Sequence, residues 1–158
     1  SLMICSTAAT QRAQTMLRMV RCMVRSSEMA CCYLAAMTTL STHEAINRWF
    51  TTRGFTQAAF TNGKARTTTG SGDALVVFRL RERPGSNTWY KPVDQGGLIV
   101  FEVAVTEQGI RYEGYCPLLV FGVWERKLAF KEKAGGIFAY RAEGWRIAQA
   151  LRAELERR

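Results

Sequence analysis

This 158-residue sequence has a single histidine and five cysteines that include no Cys-x-x-Cys pair. One histidine, His43, cannot complete a cysteine–histidine zinc centre, and an odd number of cysteines does not form a closed disulfide framework. Reduced thiols are typical of proteins in a reducing compartment, so we expect a cytoplasmic protein. The sequence therefore predicts no metal site and no disulfides.

Catalytic and cofactor motifs are also missing. His43 is the only side chain available for a serine or cysteine relay, and it falls in the first turn of a predicted helix, where capping or solvent exposure is commoner than catalysis. The Gly70-Ser71-Gly72 segment precedes a predicted strand, so it lacks the helix N-terminus that a phosphate-binding loop uses. We expect no catalytic residues and no cofactor, and a non-enzymatic function is favoured.

Long apolar runs and acidic residues are scarce. No stretch approaches 18 uninterrupted apolar residues, so no membrane-spanning segment is predicted. The chain has 22 basic and 13 acidic residues, a formal net charge of +9. Such an excess favours polyanionic partners by long-range attraction, but binding needs the cations gathered on one surface. The arginines are spread along the chain, so charge alone does not identify the partner.

Hydrophobic periodicity divides the chain into two parts. Residues 10–36 have a helical period, are rich in methionine and arginine, and contain one acid, so residues 1–36 are interpreted as a helical extension or leader. A second helix begins at Ser41 and ends at Gly54, a residue suited to a left-handed helix terminus. Residues 41–158 form the core domain, and we treat residues 1–158 as a single domain.

Beyond Gly54 the period changes to two, which indicates strands. The turn signal Asn62-Gly63 predicts a hairpin of residues 57–60 with residues 65–68. Further strands are predicted at residues 74–82, 98–106, 110–116, 118–130 and 137–141. A final helix is predicted over residues 143–157, with Trp145 at the start of its buried stripe. The fold class is therefore α+β, with N-terminal helices, an antiparallel meander of six or seven strands, and the C-terminal helix packed on the sheet.

Glu102 is the most informative candidate for a site. It interrupts a strand that is apolar on both faces, so its carboxylate must be paired, be protonated or border a cavity. An ion pair with a neighbouring arginine is favoured over a ligand contact. A curved sheet against the C-terminal helix can also enclose a cavity, and its expected lining is Glu102, Tyr112, Trp124 and Tyr140. The leading hypothesis is a non-catalytic module that binds a small apolar or aromatic ligand there.

Two alternatives belong to other functional classes. Arg79, Arg81 and Arg83 recur at period two on one strand face, and Trp89 and Tyr90 follow, which is typical of a surface that binds phosphates and stacks bases. The competing interpretation is a solvated face with acidic partners such as Glu125. The second alternative is a protein-interaction module, of the kind seen in antitoxins or immunity proteins.

Self-association is predicted from strands that are apolar on both faces. Leu75 and Val77 oppose Val76 and Phe78, and the strand at residues 98–106 shows the same pattern. A sheet with one covered face alternates cleanly, so the second face here requires cover. We expect a homodimer built on residues 10–36 and the sheet, with cover by the chain's own N-terminal helix as the alternative.

Overall fold

A computed structural model describes residues 41–71, 74–94, 96–120 and 124–157. Within these ranges the elements are helix α1 (residues 41–51), β1 (Thr56–Gln57), β2 (Lys64–Ser71), β3 (Ala74–Arg81), β4 (Asn87–Val93), β5 (Gly97–Thr106), β6 (Gly109–Val120), β7 (Trp124–Ala129), a 3-10 turn (Gly136–Phe138) and helix α2 (Tyr140–Glu156). The fold is α+β, as predicted. The predicted helix over residues 10–36, and the dimer surface that includes it, lie outside the described residues, so the homodimer stays a prediction.

The seven strands form two antiparallel groups. β1, β4, β5, β6 and β7 make a five-stranded sheet in that order, and β2 pairs only with β3. β4 to β7 are consecutive neighbours, so four strands form a meander, whereas the prediction had six or seven strands in one meander. The β2–β3 hairpin is inserted between β1 and β4 and lies against the sheet formed by the others.

Helix α1 ends as the sequence predicts. Gly54 adopts φ +76°, and its N–H donates to the Thr51 carbonyl at 3.1 Å, while the Phe55 N–H donates to the Phe50 carbonyl at 3.1 Å. This pair of bonds is a Schellman motif, which satisfies helix carbonyls that would otherwise lack partners. The turn directs Phe50 and Phe55 into the same core, where their rings meet edge to face.

One face of the five-stranded sheet is covered by α1 and α2, and we call it the helix-covered face. Its core is largely aromatic: Phe50 stacks on Trp89 with centroids 5.1 Å apart, and Phe101 contacts Phe50 and Phe130. Phe130 lies between Gly114 of β6 and Gly144 of α2, and a Cβ at either glycine would overlap its ring. The two glycines therefore allow the close approach of helix and strand around an aromatic wedge.

The opposite face is covered by the β2–β3 hairpin, and we call it the hairpin-covered face. Here Ala65, Phe78 and Leu80 from the hairpin pack on Leu98 and Val100 of β5. The hairpin thus provides the second cover that the apolar strand at residues 98–106 requires. This cover comes from within the described residues.

Several predicted boundaries and strand pairings are wrong. Residues 118–130 are two antiparallel strands, with Leu118 paired to Arg126, and residues 136–141 belong to the 3-10 turn and the start of α2. The Asn62-Gly63 turn is present, with a Thr61–Lys64 bridge, but β2 pairs with β3 and β1 with β4. β4 itself was not predicted. Trp145 was predicted to begin the buried stripe of the last helix, but it is only half-buried. The buried residue at this point of α2 is the adjacent Gly144.

Candidate functional site

A groove of about 1380 Å³ runs beside β3, between the hairpin and the last two strands of the sheet. β2 and β3 form one wall, and β6 and β7 form the other. Seven of its lining residues are basic and three are acidic (Glu82, Glu102 and Glu125). The basic ones are Lys64, Arg66, Arg79, Arg81, Arg83, Arg126 and Lys127. Seven basic and three acidic residues give the groove a net charge of +4, out of +9 for the whole chain.

Glu102 lies at the inner end of this groove and is fully paired. Its side chain is 5% exposed, and it accepts hydrogen bonds from Arg83 at 2.9 Å and Lys127 at 3.1 Å. The Tyr115 hydroxyl donates to the same carboxylate at 2.9 Å. Glu113, the cross-strand neighbour of Glu102, shares both cations. The ion pair expected from sequence is present, and the carboxylate also borders a groove.

Burial and charge keep the Tyr115 hydroxyl and the Arg83 guanidinium protonated. Burial raises the pKa of Tyr115 well above its usual value, and the charge of Glu102 raises it further, so the phenol remains a donor. The hydrogen bond to Glu113, followed by the charge of Glu102, raises the pKa of Arg83. The Lys127 ammonium also lies 4.1 Å from the centroid of the Tyr115 ring. Since each charged group has partners, the cluster serves to hold β3, β5, β6 and β7 together.

Five other cations of the groove form no ion pair with a described residue, namely Arg126 of β7 and four on the β2–β3 hairpin. Lys64 lies directly opposite Arg81, and Arg66 lies opposite Arg79, on the exposed face of the β2–β3 hairpin. We call these four residues the cationic face. No described residue forms an ion pair with any of them. Glu125 contacts Arg79 through the backbone N–H, which leaves the guanidinium free of that carboxylate.

Three of the four residues expected to line a ligand cavity are described, and they lie on opposite faces of the sheet. Glu102 lies on the hairpin-covered face, whereas Tyr112 pairs with Val103 and packs into the helix-covered core. Tyr140 begins α2 on that same side of the sheet. The side chain of Trp124 lies outside what the structure describes. In the described part of the chain, the residues predicted for this cavity are thus divided between opposite faces.

The residues expected to bind nucleic acid are also divided. Arg79 and Arg81 lie on the cationic face, but Arg83 lies beyond the end of β3 and turns to Glu102 and Glu113. Trp89 is 2% exposed and belongs to the core, so neither face of its ring is free for a base. Tyr90 is half-buried beneath the hairpin.

Sequence reasoning missed Lys64 and Arg66. It paired the strand that carries them with residues 57–60, so they were not placed beside Arg79 and Arg81. The usable signal was the glycine-rich segment Gly70-Ser71-Gly72, flanked by two period-two runs, which is itself a hairpin signature.

Among the described residues the only cysteine is Cys116, and it is buried. Burial raises the pKa of the Cys116 thiol to about 12, so it stays protonated. Among the described residues, no cluster of three or more histidine, cysteine, aspartate or glutamate side chains is placed to hold a metal ion, and no helix is long and apolar enough to cross a membrane. No protein-family model, no curated protein and no solved structure matches this chain.

Proposed function

We propose that this protein binds nucleic acid through the cationic face of the β2–β3 hairpin. The observation that carries the proposal is the direct opposition of Lys64 to Arg81 and of Arg66 to Arg79. Like charges placed opposite each other across a strand pair destabilise it, and here none of the four side chains forms an ion pair with a described acid. A polyanion would neutralise all four at once.

The side chains of the cationic face are suited to contact phosphate groups. Guanidinium and ammonium groups on an open strand face can reach phosphate oxygens, and arginine binds them in bidentate fashion. Tyr115 is the only aromatic side chain among the described residues of the groove, and it is buried beneath Lys127. Without an accessible ring to stack on bases, binding depends on the backbone of the nucleic acid and little on its sequence.

The small-ligand hypothesis receives less support. The helix–sheet interface, where the ligand was expected, is closely packed around Phe130, Gly114 and Gly144. Glu102, which was to orient the ligand, lies on the other face and already accepts three hydrogen bonds from side chains. For these reasons we place the function at the cationic face.

The test is a titration of labelled nucleic acid over a series of salt concentrations. Each neutralised phosphate contributes about −0.9 to the slope of log K against log salt, so four contacts predict a slope of about −3.6. The double variant Arg79→Gln/Arg81→Gln removes two of them. We expect its slope to fall to about −1.8 and its affinity at low salt to drop on the order of tenfold or more.

A matched control separates local from overall charge. Arg48→Gln/Arg146→Gln removes the same net charge from exposed positions on α1 and α2, which cover the other face of the sheet. We expect its slope and affinity to stay close to those of the unmodified protein. Equal losses in both double variants would contradict binding at the cationic face, as would the absence of binding at low salt.

A further inference from the structure

The exposed surface of the hairpin changes character along its length. Continuing from the cationic face towards the far end of the hairpin, β3 presents Val77 and then Leu75 on the same side. Leu75 is 76% exposed and Val77 is 42% exposed. A single exposed leucine is ordinary, but two adjacent apolar side chains in line with four unpaired cations form a surface with two distinct parts.

Leu75 stands opposite a position without a side chain. Its cross-strand neighbour is Gly70, and the Leu75 side chain lies 3.3 Å from the place where a Cβ on Gly70 would be. The leucine therefore lies over the Gly70 backbone and keeps its outer surface open to solvent. Strands rise about 3.4 Å per residue, so Leu75 lies about 14 Å from Arg79 along β3.

We propose that the partner is double-stranded DNA, and that Leu75 inserts between base pairs from the minor groove while the cationic face binds the phosphates. This inference rests on the proposed function and adds the form of the nucleic acid and the mode of binding. Apolar side chains at the ends of protein elements kink DNA in this way, because a partly unstacked step exposes apolar base surface that the side chain covers. Val77, which lies two residues further along the same face of β3, would contact the sugars at the edge of the minor groove.

The chemistry of the surface favours duplex DNA over other polyanions. A single strand needs aromatic platforms, and the described groove has no accessible ring. Duplex RNA displays 2′-hydroxyl groups across a wide, shallow minor groove, which is a poor surface for leucine and valine. An anionic membrane would accept both the cations and the apolar tip, so vesicles enter the experiment as a separate arm.

The experiment measures binding and bending separately in the whole protein. A DNA duplex with dyes at its ends reports bending by energy transfer, and an internal 2-aminopurine reports unstacking. We expect the unmodified protein to kink the duplex by about 20–90° and to raise 2-aminopurine fluorescence. Leu75→Ala should lose both signals, yet keep the same salt slope, because its cations are intact. Leu75→Met, which retains an apolar side chain of similar volume, should restore both.

A control variant and three contrary outcomes make the test decisive. Ile137→Ala removes an equally exposed apolar side chain, 75% exposed, from the 3-10 turn outside this face, and it should bend DNA normally. Binding with the predicted salt slope to a duplex that stays straight and stacked would overturn the wedge but leave the proposed function intact. Leu75-dependent binding to vesicles containing phosphatidylserine, with no binding to duplex DNA, would overturn both. Leu75-dependent self-association without bending would overturn the wedge.

Discussion

The two faces of the five-stranded sheet are covered in different ways. On the helix-covered face, rings of Phe50, Trp89, Phe101 and Phe130 contact one another beneath two helices. On the hairpin-covered face the cover is a two-stranded ribbon, and the core beneath it is mainly aliphatic. All the buried polar residues of the described chain, Thr67, Thr69, Thr88 and Glu102, lie on this second side.

This difference separates stability from binding. The aromatic side buries large apolar areas without charge, which is where most of the folding free energy arises. Beside its buried ion cluster, the hairpin side contains an open groove and unpaired cations, which contribute little to stability but provide a surface for a charged partner. The contrast can be tested by substituting comparable residues on the two sides.

The largest effect is expected from Phe50→Ala on the helix-covered face. Phe50 is fully buried and contacts four other rings, so its truncation should lower the free energy of unfolding by about 3–5 kcal/mol. Phe78→Ala provides the comparison, since Phe78 is 3% exposed in the hairpin-side core but takes part in none of the ring contacts of the described residues, so its truncation should cost clearly less. Denaturant unfolding measures both. Equal losses would mean that the two faces contribute alike.

The sequence predicted the helix-covered side better than the hairpin side. The end of α1 at Gly54, the position of β5 and the C-terminal helix follow from local signals, namely a left-handed glycine, a strongly apolar run and a 3.6-residue period. The pairing of β2 with β3 is a choice between two turns, Asn62-Gly63 and the segment around Gly70, and both are genuine turn signals. Only packing against β5 decides which strands pair, and that is a long-range interaction.

The candidate site was predictable only where it depends on local signals in the sequence and not on which strands pair. The isolated carboxylate of Glu102 required a cation, and the structure provides Arg83. The second cation, Lys127, lies on β7. It reaches Glu102 only because β6 and β7 are two antiparallel strands, whereas the sequence predicts a single strand over residues 118–130. Likewise, the opposition of Arg66 to Arg79 exists only once the β2–β3 register is known.

A smaller effect is expected from Glu102→Gln in the ion cluster. The amide keeps the size of the side chain but loses the charge that Arg83 and Lys127 bind. Hydrogen bonds to charged groups contribute about 1.5–3 kcal/mol, so we expect a loss in that range. Glu113→Gln is the matched control, since its carboxylate is 45% exposed and shares the same two cations. It should cost less than about 1 kcal/mol, because exposed ion pairs contribute little. The reverse ranking, in thermal or denaturant unfolding, would refute a structural role for the buried carboxylate.

The smallest effect is expected to have the opposite sign. Arg79→Thr removes one member of the Arg66–Arg79 pair while keeping the backbone N–H that Glu125 binds. Threonine suits a strand, and like charges opposite each other cost roughly 0.2–1 kcal/mol, so the variant should be slightly more stable than the unmodified protein. Because the repulsion is between exposed groups, the difference should shrink as salt rises and screens it. Unfolding at two ionic strengths checks both statements. A loss of stability that is independent of salt would mean that Arg79 has a structural partner, and the cationic face would then be part of the fold's own support and not a surface kept free for an anion.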